Sequence, residues 1–141
     1  RHEAVHVGIS TQTDDGLMVP VIKHAESRDV WDTANELVRV TSSAREKTAT
    51  IEELTGSTIT ITSLGVMGGL GATPIINHPE VSIVSIHAAR DRAVVRDGEI
   101  VVRKMMNVTS SFDHRIVDGY DGALLIQELK SMLEYPAKIF M

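Results

Sequence analysis

The chain has no cysteine among its 141 residues. That excludes a disulfide framework, a thiol nucleophile and a cysteine-ligated zinc site. Aromatic residues make up only 4% of the sequence, so aliphatic side chains must build the core. No apolar run approaches the ~18 residues of a membrane-spanning helix, and no membrane partner is expected. The 14 lysines and arginines form no stripe and the net charge is −5, which argues against a nucleic-acid platform. No secretion signal is legible, so the expected location is the cytoplasm, or the mitochondrial matrix in a eukaryote.

An apolar content of 43% over this length suffices for one domain with a core. Arg1 is not a natural start, and Val5-His6-Val7-Gly8-Ile9-Ser10 already reads as a strand. The chain is therefore expected to be part of something longer. Residues 5–11 and 17–23 are apolar runs joined by Thr13-Asp14-Asp15-Gly16, whose Asp-Gly favours a tight antiparallel reversal. Pro20 in the second run points to an edge or a bulge. From Val30 to about Ala49, the set Trp31, Ala34, Leu37, Val38, Thr41 and Ala44 predicts an amphipathic helix, with Ser27 or Asp29 as its N-cap.

Residues 57–63 and 81–88 read as strands, separated by a loop with four glycines and then Pro74 and Pro79. A second hairpin, 93–96 with 99–111, turns at Asp97-Gly98, and residues 120–133 form a closing helix. The fold class is α+β: a mostly antiparallel or mixed sheet with packed helices.

The glycine loop Gly65-Val66-Met67-Gly68-Gly69-Leu70-Gly71 follows a strand, yet Ala72-Thr73-Pro74 stands where a phosphate-binding loop needs Lys-Ser/Thr. Tight chain reversal beside a cleft or subunit contact is the better reading. His2, His6, His24, His78 and His87 are scattered singly, as surface or structural histidines are. His114 differs. It stands in Asp113-His114-Arg115-Ile116-Val117-Asp118-Gly119, where a strand gives way to a helix. An imidazole held there has fixed geometry and a pKa near neutrality, the two needs of a general base. A structural turn histidine fits the spacing equally well, whereas a metal pair with Asp118 lacks a third ligand. Thr62 and Ser63 end a strand beside glycines, one on each face. A hydroxyl there either satisfies backbone groups or donates to a developing oxyanion.

The heptad 113–119 resembles the signature of the dihydrolipoamide acyltransferases of 2-oxoacid dehydrogenase complexes, which share the chloramphenicol-acetyltransferase-like fold and a His-x-x-x-Asp-Gly site. Three further segments agree in order and spacing: Asp15-Gly16-Leu17-Met18-Val19-Pro20-Val21-Ile22, Thr60-Ile61-Thr62-Ser63-Leu64-Gly65, and Thr73-Pro74-Ile75-Ile76-Asn77-His78-Pro79-Glu80. The resemblance runs from about residue 4 to 141, with wording most like bacterial branched-chain members. It implies that residues 1–141 are the C-terminal part of the acyltransferase catalytic domain. The lipoyl domain and the small partner-binding domain are outside it.

What the resemblance implies is acyl transfer between the thiols of dihydrolipoamide and coenzyme A. His114 would be the base and Thr62 the oxyanion donor, with Ser63 as its substitute. Asp118 would orient the loop through a hydrogen bond or an arginine, Arg115 would be a structural partner, and Gly119 would permit the turn. Coenzyme A enters as a substrate, the lipoyl group rides on a domain outside this chain, and no metal is implied. Self-association into trimers and then a core of 24 or 60 subunits is expected, with the site between subunits and Ile139-Phe140-Met141 at a contact. The 2-oxoacid decarboxylase and dihydrolipoamide dehydrogenase would be met through the other domains. Two alternatives stay open: another acyltransferase with a His-x-x-x-Asp-Gly site, and a structural assembly core whose catalytic site is incomplete.

Overall fold

The computed structural model describes residues 3–140, so Arg1, His2 and Met141 lie outside the described residues. The first hairpin is built from β1 (Val7–Ile9), β2 (Thr11–Thr13), β3 (Gly16–Met18) and β4 (Val21–Ile22). Thr13 faces Gly16, so Asp14 and Asp15 form the tip and Gly16, at φ +118°, opens the returning strand. Pro20 interrupts that strand before β4, an edge of the main sheet. An edge tolerates the missing donor, and Pro20 still accepts from the Ile9 amide at 2.8 Å.

Helix α1 (Val30–Arg45) starts at Asp29, whose carboxylate accepts from the Asp32 amide at 2.7 Å. It ends four residues earlier than periodicity predicts. Lys47 takes a left-handed φ of 61°, its amide donates to Ala44 O, and the Thr48 amide donates to Ser43 O. This is a Schellman closure with lysine in the usual glycine position, hence invisible as a stop signal. The predicted inward face is also corrected. Val40 and Ala44 are buried, in a row with half-buried Thr33 and Glu36, whereas Trp31 is 75% and Val38 65% exposed. The polar row misled the pattern because Glu36 is answered by Arg39 at 2.8 Å.

The main sheet has the order β4-β1-β5-β6-β9, adding β5 (Ile59–Ser63), β6 (Ser82–Ile86) and β9 (Val108–Phe112). β1, β5 and β6 run parallel, while β4 and β9 are antiparallel to their neighbours. Parallel neighbours need crossovers. Helix α1 lies in the first, and the glycine- and proline-containing segment between β5 and β6 makes the second. Alternation sets two faces. One carries Thr60 and Thr62 of β5 beside Ile83 and Ser85 of β6; the other carries Ile61, Val84 and Phe112.

The second hairpin, β7 (Arg90–Arg96) and β8 (Glu99–Met105), turns at Asp97-Gly98 with both residues at positive φ, as a two-residue primed turn requires. The single strand expected over 99–111 is broken at Met106-Asn107. There β8 leaves the hairpin and β9 enters the sheet, because Asn107 turns its amide onto Leu70 O at 2.5 Å. Helix α2 (Gly119–Glu134) packs on the second face, with Gly122 against the Phe112 ring.

A Cβ at Gly122 would lie 2.9 Å from Phe112 Cε2. Gly122→Ala is therefore expected to destabilise the fold by about 1–3 kcal/mol through overpacking, read by urea titration; a change near zero would show that the ring yields freely. A second expectation concerns His6, whose Nδ1 accepts the His24 amide at 3.0 Å. Burial, then His24 and Lys23, push its pKa below the ordinary 6.5. The bond's stability is thus present above about pH 6.5 and lost as pH falls through the lowered pKa. The melting temperature should drop between pH 7 and 5, and drop less in His6→Ala.

Candidate active site

The corner between β9 and α2 is clamped on both sides of His114. Phe112 still pairs with Ser82, and the Asp113 amide donates to Val81 O at 2.8 Å as the last bond to the sheet. The Asp113 carbonyl then accepts from Ile116 and Val117, both at 2.9 Å, which closes the turn. Its carboxylate takes Arg115 Nε at 2.9 Å and Nη2 at 2.6 Å in a forked pair. That guanidinium holds the Asp113 carboxyl down to about 2. His114 sits between these partners, with an exposed side chain that makes no hydrogen bond or ion pair among the described residues.

Two expectations need correction and a third is narrowed. The partner of Arg115 is Asp113, not Asp118. Asp118 is the N-cap of α2 and accepts from the Asp121 amide at 2.9 Å, so its hydrogen bond orients the helix start. Gly119 is not at positive φ, and a Cβ there would meet nothing within 4 Å, so this chain's own turn does not require glycine. The packing constraint falls on Gly122 instead.

Thr62 and Ser63 are distinguished by geometry. Ser63 is exposed, and its hydroxyl accepts from the Gly65 amide at 3.1 Å. Thr62 is half-buried and lines a cleft of about 430 Å³ with Ser10, Gln12, Ser85 and His87. His87, expected as a surface or structural histidine, is buried on this wall. Thr109 spends its only hydroxyl proton on Ala72 O at 2.9 Å, so His87 Nε2, 2.8 Å away, must be the donor to Thr109.

The glycine loop forms no phosphate cradle. After one turn of 3-10 helix at Gly65–Met67 it runs on as an extended strap. Side chains of β9 and of Asn107 just before it stitch that strap in place: Asn107 to Leu70 O at 2.5 Å, Thr109 to Ala72 O at 2.9 Å, and Ser111 to Pro74 O at 2.6 Å. The alternate polar residues of 107–111 were the available signal.

His114 and Thr62 do not come together within one chain. Thr62 is level with Ser85 and, across β6, with Thr109. Three residues of strand separate Thr109 from Phe112, about 10 Å before His114 is reached. The two candidate groups stand at opposite ends of the sheet.

Residues 1–141 match the family described as 2-oxoacid dehydrogenases acyltransferase (catalytic domain). The chain belongs to this family. The lipoamide acyltransferase component of the branched-chain alpha-keto acid dehydrogenase complex of Pseudomonas aeruginosa is 57% identical over 141 residues, 100% of this chain and 33% of that protein. The mitochondrial succinyltransferase component of the Saccharomyces cerevisiae 2-oxoglutarate dehydrogenase complex is 38% identical over 96% of this chain and 29% of that protein. Among solved structures, the dihydrolipoamide acetyltransferase of Azotobacter vinelandii aligns with a TM-score of 0.94 at 34% identity, covering 100% of this chain and 58% of its own. A truncated catalytic core from Thermoplasma acidophilum aligns at 0.82, with 36% identity over 96% of this chain and 59% of that one. The chain thus spans about a third of the length of these curated relatives.

Because Asp118 caps α2 in this domain, Asp118→Ala should lower stability by about 1 kcal/mol, and Asp118→Asn, which still accepts the Asp121 amide, much less. Equal losses in a thermal melt would mean that the charge of Asp118, not its capping bond, is what matters.

Proposed function

We propose that the chain is the catalytic part of an acyltransferase that passes an acyl group, preferentially a branched one, between dihydrolipoamide and coenzyme A. One observation carries the reading: an imidazole on a clamped corner, unpartnered among the described residues, set 52 residues after Thr62 and four before Asp118. The A. vinelandii acetyltransferase was investigated for the catalytic roles of a serine, a histidine and an asparagine with these same spacings, 52 and four. The family's acyltransfer chemistry supports the reaction, and the 57% identity to a branched-chain component supports the acyl preference.

In this reaction His114 takes the proton of the attacking thiol as its sulfur forms a bond to the thioester carbonyl carbon. The tetrahedral oxyanion accepts a hydrogen bond from Thr62 Oγ1. When the intermediate collapses, the old carbon–sulfur bond breaks and the imidazolium returns the proton to the departing sulfur. Arg115 and Asp113 keep the corner rigid, and Asp118 starts the helix behind it. Since one chain keeps the two groups apart, His114 acts with Thr62 of a second copy. A solved relative forms the cubic core of the pyruvate dehydrogenase multienzyme complex, which supports trimers as the unit of a larger core here. The lipoyl group and the contacts with the decarboxylase and the dihydrolipoamide dehydrogenase belong to parts of the protein outside this chain.

The test is transfer from acetyl-, succinyl- and branched acyl-CoA to dihydrolipoamide by the full-length protein. His114→Ala should lower the rate by about 10²–10⁴-fold. Thr62→Ala should raise the barrier by ~2.7–4 kcal/mol. Undiminished rates in His114→Ala would remove the base from its role, and assembly without any transfer would leave a structural core as the better account.

A further inference from the structure

We infer that Glu80 is a positioning residue for His114, an inference that rests on the acyl-transfer reading. Glu80 is only 7% exposed, and no cation pairs with it among the described residues. Its Oε1 gathers three donors: the hydroxyl of Ser57, Thr60 Oγ1 at 2.8 Å and Asn77 Nδ2 at 3.3 Å. Asn77 Nδ2 also reaches Thr60 Oγ1 at 3.4 Å, so the four side chains close on one another. Glu80 Oε2 is buried and has no partner among the described residues.

What the cluster holds explains its position. Ser57 and Thr60 belong to the entry of β5, whereas Asn77 and Glu80 belong to the turn that ends the strap, closed by the Glu80 amide on Asn77 O at 2.9 Å. The carboxylate therefore bolts the strap to β5. The next residue, Val81, supplies the carbonyl that takes the Asp113 amide, and Asp113 immediately precedes His114. The path from Glu80 to the imidazole is one peptide step, one 2.8 Å hydrogen bond and one peptide step. Upstream on the strap, Pro74 O holds Ser111 Oγ at 2.6 Å, so the same segment grips β9 twice near its end. Removing the carboxylate frees the strap's end from β5 and lets the root of the His114 turn shift. A displacement of about 1 Å at a catalytic group costs on the order of 10²-fold in rate.

The experiment compares Glu80→Ala, Glu80→Gln and His114→Ala in the full-length assembled protein, reading steady-state transfer and hydrogen–deuterium exchange of the peptide spanning 112–117. Glu80→Ala is expected to lower kcat about 10²-fold while KM stays within about twofold, and to speed exchange at the turn. Glu80→Gln keeps an oxygen for the three donors and should restore most of kcat. Faster exchange with unchanged kcat overturns the inference, as does a loss that glutamine fails to rescue. If His114→Ala itself retains transfer, the acyl-transfer reading has failed instead; exchange at the turn then decides alone, faster supporting the coupling and unchanged overturning it. Should Glu80→Ala not assemble, Ser57→Ala removes a single donor and carries the same test, with an expected loss of about tenfold in kcat and none overturning the inference.

Discussion

The strap between β5 and β6 is held by side chains where a strand would be held by backbone. Asn107, just before β9, and Thr109 and Ser111 on it lie at every second residue and close on the carbonyls of Leu70, Ala72 and Pro74. Each spends a side-chain donor on a carbonyl of the strap. The strap can therefore be rich in glycine and proline, which are poor strand formers, and still have a fixed course. Both candidate groups, Thr62 and His114, depend on that course. Its start forms a wall of the Thr62 cleft, and its end presents Val81 to the residue before His114.

The outline of the fold was legible because its local signals are strong. Asp97-Gly98 turns where it should, Asp29 caps α1, and the change from period two to period 3.6 at residues 112–120 marks the strand-to-helix corner. What escaped depends on contacts distant in sequence or on unusual choices. Lys47 in a glycine's place hid the end of α1. The buried row of that helix contains Glu36, an unlikely core residue until Arg39 is seen beside it. The break at Met106-Asn107 reflects an amide 37 residues from its acceptor, which no local window contains.

The site residues were legible in kind more than in partnership. His114 and Thr62 were picked out by position, and geometry separates Thr62 from Ser63 by face alone. The pairing of Arg115 with Asp113, the glycine constraint at 122 and the burial of His87 and Glu80 all needed the three-dimensional arrangement. The exposed apolar groups follow the same logic of partnership. Trp31 and Val38 on α1, and Ile100 and Val102 on the second hairpin, face outward in a chain that spans 58% of the A. vinelandii acetyltransferase chain. They lie where a partner surface has most to gain by covering them.

The stitches also bear on the order in which the molecule assembles. Each joins residues 37 apart, and none repays its loop-closure entropy until β9 has docked on β6. The two hairpins and the two helices need no such wait, since their contacts are local. The strap and the setting of the imidazole thus depend on the docked sheet, whereas the hairpins and helices do not. A nascent or partly unfolded chain would carry every residue of the site without the geometry that makes them a site.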